Sequence, residues 1–200
     1  MKIALLGASG MLGSRIRAEA EARHHQVTPL GRHTEPAVDV TDPARVAAVV
    51  AGHDLAISAV GPVDEDPRLV VDAAHALADG LPAAGVDRLL VVGGAGGLEV
   101  SPGVHLVDTP DFPAGWRPVA EAHRAALAVY RRIEDLNWTY VAPAAFIAPG
   151  ERTGTYRIGK DRLLIGPDGQ SRISAEDFAV AMVDEVESSA HPRQRITVAY

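Results

Sequence analysis

The chain has 200 residues and a formal net charge of −7; 47% of its residues are hydrophobic and 22% are charged. This length suits one domain with a sizeable core. The acidic balance argues against a nucleic-acid partner, because binding to a phosphate backbone requires a basic surface. The absence of cysteine excludes disulfides, thiolate metal sites and cysteine nucleophiles, and it suits a reducing compartment.

The first apolar run could be mistaken for a short signal peptide. It follows Lys2, but Gly7, Ser9 and Gly10 interrupt it, and a charged segment comes directly after it. We therefore interpret the run as a first strand. No stretch approaches the roughly 18 apolar residues of a membrane span, so we expect a cytoplasmic protein with no membrane partner.

Short apolar runs alternate with alanine-rich amphipathic segments along most of the chain. The apolar runs are nearly continuous, as expected of strands buried on both faces. This alternation predicts an α/β protein of the Rossmann type, with a doubly wound parallel sheet and helices on both faces. The predicted strands are residues 2–7, 26–32, 37–40, 54–61, 88–96 and 138–143, and the predicted helices are residues 11–24, 43–52, 67–85 and 118–136.

The last quarter of the chain has a different pattern. Residues 155–166 predict a small two-stranded element that turns at residues 159–161. Ser174 and Asp177 fit a capping box that opens a helix, and residues 195–200 predict a terminal strand. We interpret residues 1–200 as one domain, in which residues 150–174 and the C-terminal helix form a small cap on the substrate side.

Three glycines spaced three apart, Gly7, Gly10 and Gly13, lie between the first predicted strand and the first predicted helix. In a dinucleotide-binding loop, such glycines allow a tight turn, a close approach to a pyrophosphate and close packing of the helix on the sheet. A purely structural turn is the alternative, but the strand before and the helix after favour the binding loop. The residues expected to hold the phosphates are Gly7, Ser9, Gly10, Met11, Leu12 and Gly13.

The end of the second predicted strand bears on which dinucleotide is bound. An NAD-preferring site usually has an acidic residue here, whereas this chain has Arg32, whose guanidinium can pair with a 2′-phosphate. Arg32 could instead be a solvated loop residue, and Glu35 lies nearby. We expect NADP(H) to be preferred and NAD(H) to be possible.

Two further segments are expected beside the cofactor. Asp39 and Val40 would lie next to the adenine, with Asp39 accepting from its amino group, although Asp39 could equally be a turn residue. The small residues Ala59, Val60 and Gly61 end the next predicted strand and should pass under the cofactor.

Short-chain dehydrogenases commonly use a tyrosine and a lysine four residues later on a helix. Tyr156 and Lys160 match this spacing, but they fall in a segment predicted to be extended, where the two residues would be about 13 Å apart. On the preceding helix, Glu134 occupies the lysine's place after Tyr130. Carbonyl reduction by a tyrosine–lysine couple is therefore not expected.

The glycine run after the fifth predicted strand contains no hydroxyl group before Ser101. We interpret it, Gly96 included, as open space above the nicotinamide that suits a flat hydride acceptor. Among the histidines, none of which has metal-ligand spacing, His123 borders the expected site. It could help to donate a proton, or it could be a partly buried structural residue. No metal site is expected.

Trp116, Phe146 and Arg152 follow the fifth and sixth predicted strands and flank the same opening. Two aromatic faces and a guanidinium would suit a planar anionic ligand. Each of the three could equally belong to the core or the rim.

Seven segments carry a recognisable pattern across the whole chain: GASGMLGSRI, VVGGAGGLEV, VDTPDFP, NWTYVAP, PGERTGTYRIG, SRISAEDFAVAMVDEVE and RITVAY. Together they resemble bacterial NAD(P)H-binding proteins described as NADH-flavin reductases. These are atypical short-chain dehydrogenases, similar in layout to biliverdin-IXβ/flavin reductases and more distantly to NmrA-like proteins.

The resemblance implies that Gly93 and Gly94 help to hold the cofactor and that Pro143 lies near the nicotinamide. It also implies hydride transfer to a flavin or a similar planar acceptor such as a quinone, with the flavin as a substrate. Many relatives have a serine in the glycine run, which this chain lacks. Two functions stay open: an NADPH-dependent oxidoreductase, and an NmrA-like sensor that acts through a protein partner. A homodimer is compatible with either.

Overall fold

The computed structural model describes residues 1–32, 34–62 and 66–200. Strands and helices alternate over most of this part of the chain, and short strands are added after β4 and β7. The strands are β1 (Lys2–Leu6), β2 (Gln26–Leu30), β3 (Leu55–Ser58), β4 (Arg88–Val92), β5 (Glu99–Ser101), β6 (Val104–His105), β7 (Asn137–Ala142), β8 (Phe146–Ala148), β9 (Arg157–Gly159), β10 (Arg172–Ser174) and β11 (Gln194–Ala199), and the helices are α1 (Met11–Ala22), α2 (Pro43–Val50), α3 (Arg68–Ala83), α4 (Arg117–Tyr130) and α5 (Ala175–Ser188).

The main sheet has seven strands in the order β2-β1-β3-β4-β7-β11-β9. All neighbouring pairs are parallel except β11 and β9, which are antiparallel at one edge. From β1 the chain moves to β2 on one side and then to β3 on the other side. This reversal creates a topological switch point at the carboxyl ends of the strands, which is where α/β sheets bind their ligands.

Two apolar clusters cover the two faces of the sheet. On one face, Val46 of α2, Leu77 of α3 and Leu127 of α4 pack with alternate strand residues. On the other face, Ile16 of α1 and Phe178 of α5 pack with the remaining strand residues. The helices therefore cover both faces, and the Rossmann-like α/β fold expected from the sequence is confirmed.

The predicted strand at residues 37–40 is wrong. Only Ala37 bridges to the main sheet, through Gly31. The Oδ1 atom of Asp39 accepts hydrogen bonds from the backbone N of Thr41 at 2.9 Å and from its hydroxyl at 2.7 Å. These local bonds turn the chain toward α2 in place of strand pairing.

Two other predictions need correction. Residues 155–166 do not form a two-stranded element, because β9 pairs with β11 instead. The helix expected over residues 118–136 ends at Tyr130, since the chain turns there to bury Leu136 before β7 begins.

The C-terminal helix belongs to the main body of the fold. Helix α5 packs against α1 and contributes Phe178 and Met182 to the core. Half of the expected capping box forms, since the Ser174 hydroxyl accepts from the Asp177 N–H at 2.9 Å. The Asp177 carboxylate binds Thr153, Gly154 and Tyr200 instead of reaching back to Ser174.

Candidate functional site

A cavity of about 1070 Å³ opens at the carboxyl ends of β1, β3, β4 and β7, next to the switch point. Its size suits a large ligand, since small-molecule sites usually have volumes of roughly 300–1,000 Å³. Its lining residues are Gly7, Ser9, Gly10, Met11, Leu12, Gly31, Arg32, Ala37, Val38, Asp39, Val40, Asp42, Arg45, Ala59, Val60, Gly61, Pro62, Leu69, Val92, Gly93, His123, Pro143 and Ile147.

The three glycines of the first loop have different roles. Gly7 has a φ of +79°, and a Cβ there would lie 2.5 Å from the carbonyl oxygen of Ala59. A Cβ on Gly13 would lie 2.1 Å from the carbonyl oxygen of Gly7, so Gly13 packs within the loop and does not line the cavity. A Cβ on Gly10 would meet only the Gly7 carbonyl oxygen, at 3.5 Å, and would otherwise project into open space.

Helix α1 begins at the cavity. Its N-cap, Gly10, has no side chain to accept hydrogen bonds from the first turn. The N–H groups of that turn and the positive end of the helix dipole therefore favour an anion beside Met11 and Leu12. The guanidinium of Arg15, one turn further along the helix, binds Glu176 and the carbonyl oxygen of Met11.

The β2 side of the cavity contains two cations and two carboxylates. Arg32 and Arg45 are exposed residues that line it. Asp42 accepts from the backbone N–H groups of Ala44 and Arg45 as the cap of α2. Asp39 accepts from Thr41, which lowers the pKa of its carboxyl group.

Arg45 was missed by the sequence analysis. It has no acidic partner in residues 1–32, 34–62 and 66–200, and its place in the first turn of α2 brings it to the same cavity as Arg32. Glu35 is exposed and does not line the cavity.

The opposite side of the cavity is built by His123, Pro143 and Gly93. The hydroxyl of Tyr140 lies 3.2 Å from Nδ1 of His123, 3.2 Å from the His123 carbonyl oxygen and 3.2 Å from the Gly94 nitrogen. Burial lowers the pKa of His123 to about 4 and raises the pKa of Tyr140 well above its ordinary value. Both side chains are therefore uncharged at neutral pH.

The comparisons with known proteins agree with this geometry. A model of the family described as NAD(P)H-binding matches residues 7–189. The chain belongs to the NAD(P)H-binding family. It is 38% identical to the uncharacterized protein YwnB of Bacillus subtilis over 208 residues, which cover 99% of this chain and 98% of YwnB.

Two solved structures are similar over their whole length. One is a protein from Burkholderia pseudomallei, provisionally named an exported protein, with 53% identity, a TM-score of 0.95 and 100% of each chain covered. The other is a protein from Streptococcus pneumoniae, provisionally named an NADH-flavin reductase. It has 34% identity and a TM-score of 0.91, and the match covers 100% of this chain and 99% of that one.

The cavity fits the nicotinamide cofactor of an NAD(P)H-binding protein. The open space beside Gly10 and the uncapped first turn of α1 suit a pyrophosphate. The two arginines lie on the β2 side, and His123 and Pro143 lie on the β4–β7 side, where a nicotinamide would extend. The cofactor-binding residues expected from the sequence line this cavity, except Gly13 and Gly94.

The glycine run after β4 does not leave open space, contrary to the sequence-based interpretation. A Cβ on Gly94 would lie 3.0 Å from Cγ of His123, and a Cβ on Gly96 would lie 2.6 Å from Cβ of Ala120. Helix α4 occupies the space that these glycines provide. Gly96 is therefore buried in protein and does not contact the cavity.

The structure does not bring the other expected substrate residues into the cavity lining. Trp116 and Phe146 are 64% and 62% exposed at the surface. Arg152 is bound elsewhere, because its Nε and Nη2 atoms donate to the two carboxylate oxygens of Glu19 on α1 at 2.8 Å each. None of residues 150–174 lines the cavity, so the expected cap does not cover it.

Tyr156 and Lys160 do not form the helical catalytic couple of short-chain dehydrogenases, as the sequence predicted. Tyr156 precedes β9, and its hydroxyl donates to Asp184 of α5. Lys160 follows β9, so the two residues do not share a helix face.

Within the described ranges, no three histidine, aspartate or glutamate side chains are grouped so that they could hold a metal ion. His33, one of the histidines considered in the sequence analysis, lies outside these ranges. No helix in the same ranges is both long enough and apolar enough to cross a membrane.

Proposed function

We propose that this chain is an NAD(P)H-dependent oxidoreductase that prefers NADPH and reduces a planar acceptor such as a flavin or a quinone. The observation that carries the proposal is the single cavity that joins an uncapped helix start to two arginines on one side and to His123 on the other. A bound NADPH would supply the hydride, and the reduced acceptor would take its proton from water.

The preference for NADPH rests on Arg32 and Arg45. A guanidinium can form two parallel hydrogen bonds with a 2′-phosphate, which NADH lacks. The carboxylates on this side, Asp39 and Asp42, already accept hydrogen bonds from protein groups. All four of these bonds fall on Oδ1 atoms and fix the two carboxylates in the turn before α2, so the preference rests on the arginines alone.

The choice of a planar acceptor rests on the residues near the nicotinamide side. His123 is uncharged at neutral pH, the Tyr156 hydroxyl donates to Asp184, and Lys160 does not line the cavity. Such a site suits an acceptor that needs a hydride and positioning more than a strong acid.

Two predictions from the sequence accompany this proposal. The first is a cytoplasmic location, although the Burkholderia relative carries the provisional name of an exported protein. Fractionation of the source cells tests it. The second is a homodimer, which sedimentation of the purified protein tests.

The proposal is tested by following the oxidation of NADPH and NADH in the presence of FMN, riboflavin or a soluble quinone. We expect turnover above the uncatalysed rate and a lower KM for NADPH. Arg32→Ala should raise the KM for NADPH by about 10- to 100-fold, the loss of one charge-assisted contact, and change the KM for NADH by less than about threefold. Arg17→Ala, on the exposed face of α1, is the control.

Tight NADPH binding without turnover on any of these acceptors would contradict the enzyme function and favour the sensor. Equal effects of Arg32→Ala on NADPH and NADH would contradict the proposed basis of cofactor preference.

A further inference from the structure

The hydroxyl group of Tyr140 limits how protons can be arranged around it. It has one hydrogen to donate and two lone pairs. Its three neighbours, each at 3.2 Å, are the Gly94 N–H, which can only donate, the His123 carbonyl oxygen, which can only accept, and Nδ1 of His123.

One arrangement satisfies all three neighbours. The tyrosine donates its hydrogen to the carbonyl oxygen and accepts from the Gly94 N–H. Its second lone pair then accepts from His123, so Nδ1 must carry the proton of the neutral imidazole. In the opposite tautomer the tyrosine would have one hydrogen for two acceptors, so either Nδ1 or the carbonyl oxygen would face a lone pair of the hydroxyl oxygen at 3.2 Å with no hydrogen between them. That arrangement is unfavourable in a buried site.

The other ring nitrogen of His123 is reached from the cavity. Nε2 forms no hydrogen bond within the described ranges, and it is not among the buried unpaired atoms there, which are Nε of Arg88, Nε1 of Trp138 and Oγ1 of Thr197. The ring itself lines the cavity. In the tautomer set by Tyr140, Nε2 carries a lone pair and no hydrogen.

We propose that Tyr140 holds His123 as the Nδ1–H tautomer, so that Nε2 accepts a hydrogen bond from an N–H or O–H group on the nicotinamide half of the cofactor. The carboxamide N–H₂ and the ribose hydroxyls are the donors of that half. The inference rests on the proposed nicotinamide cofactor. It makes Tyr140 a positioning residue and gives His123 a binding role instead of the proton-donating role considered from the sequence.

Two glycines permit this arrangement. A Cβ on Gly93 would lie 2.1 Å from Cε1 of Tyr140, and a Cβ on Gly94 would lie 3.0 Å from Cγ of His123. Any side chain at Gly93 would displace the tyrosine ring, and one at Gly94 would press on the imidazole. The glycine run therefore allows Tyr140 and His123 to meet.

The tautomer is measured by nuclear magnetic resonance on protein labelled with ¹⁵N-histidine at neutral pH. The His123→Gln variant identifies the His123 signals among those of the 8 histidines. We expect Nδ1 to resonate as a protonated nitrogen and Nε2 as an unprotonated one. The reverse pattern in the wild-type protein would overturn the proposal.

Addition of NADPH tests the role of Nε2. We expect the Nε2 resonance to move toward that of a hydrogen-bonded nitrogen while Nδ1 stays protonated. An Nε2 resonance that does not change at saturating NADPH would overturn the binding role. Neither measurement depends on turnover, so an inactive protein would contradict the proposed function and leave this inference standing.

Tyr140→Phe tests the positioning role. We expect the second tautomer to appear in the spectrum and the Kd for NADPH to rise about three- to tenfold. Tyr130→Phe is the matched control, because Tyr130 is also buried, its ring centroid lies 6.5 Å from that of Tyr140, and its hydroxyl does not bond His123. An unchanged tautomer in Tyr140→Phe would overturn the role of the tyrosine. If this variant does not fold, the wild-type spectrum still decides the tautomer.

Discussion

Two glycine-rich stretches follow strands of the same sheet, and they serve opposite purposes. In the loop after β1, the position of a Cβ on Gly10 is open and borders the cavity. In the run after β4, Gly93 and Gly94 face Tyr140 and His123. Gly10 of the first stretch leaves room for a ligand, whereas Gly93 and Gly94 of the second make room for the protein's own side chains.

The difference shows that a glycine pattern alone does not identify a binding loop. Glycine allows a close approach of backbone to something else, and only the packing shows what that is. After β1 the approaching group is the expected pyrophosphate at the start of α1. After β4 the approaching groups are the rings of Tyr140 and His123, and the His123 ring lines the cavity. Gly93 of the second stretch lines the cavity directly, and the space at Gly94 lets His123 line it as well.

Gly10→Asp gives the largest expected effect. Aspartate is a favoured N-cap residue, so the variant should be as stable as the wild type or slightly more so. Its carboxylate would occupy the anion position and repel the pyrophosphate. We expect the affinity for NADPH to fall more than about 100-fold, a loss of more than about 3 kcal/mol. Isothermal titration calorimetry measures the affinity, and urea unfolding measures the stability.

Gly115→Asp is the control for the added charge. It lies in a short exposed 3₁₀ helix outside the cavity, where a Cβ meets no atom within 4 Å. We expect its NADPH affinity to match the wild type. If Gly10→Asp bound NADPH normally, the loop after β1 would be a structural turn and the contrast between the two stretches would disappear.

Gly93→Ala should instead reduce stability. The added methyl group would overlap the ring of Tyr140 at 2.1 Å, and overpacking of a core usually costs about 1–3 kcal/mol. We expect a loss near the upper end of this range in urea unfolding, because the ring is almost fully buried and has little room to move. Gly115→Ala, at the open position, should change the free energy of unfolding by less than about 0.5 kcal/mol.

A Gly93→Ala protein with wild-type stability would show that Tyr140 can move without cost. A tyrosine that moves so easily would not fix the tautomer of His123.

The sequence predicted features that depend on neighbouring residues. The parallel sheet followed from continuous apolar runs, and the loop after β1 followed from glycines between a strand and a helix. Contacts between distant residues were not predictable in this way. Arg152 was expected near a ligand, but it binds Glu19, which is 133 residues earlier in the chain. The hydrogen bond between His123 and Tyr140 joins a helix to a strand, and no local pattern indicates it.

The pH dependence of stability gives an effect that is absent at neutral pH and appears only as the pH is lowered. Burial lowers the pKa of His123 to about 4 from an ordinary value of 6.5. Between these values the unfolded chain binds a proton at this residue and the folded protein does not. The free energy of unfolding should therefore fall as the pH is lowered from about 6.5 to about 4. Tyr140 is the titratable side chain that bonds the ring, and it stays neutral in this range.

His123→Gln should flatten this dependence relative to the wild type when urea unfolding is measured across the range. His75→Gln, on the exposed face of α3, controls for the loss of a histidine. Carboxyl groups with lowered pKa values, such as that of Asp177, contribute equally to all three proteins and cancel in the difference. The same slope in His123→Gln and the wild type would mean that the imidazole is hydrated in the free protein. The glycine run after β4 would then expose the ring to solvent instead of enclosing it, and the two stretches would differ less than their packing indicates.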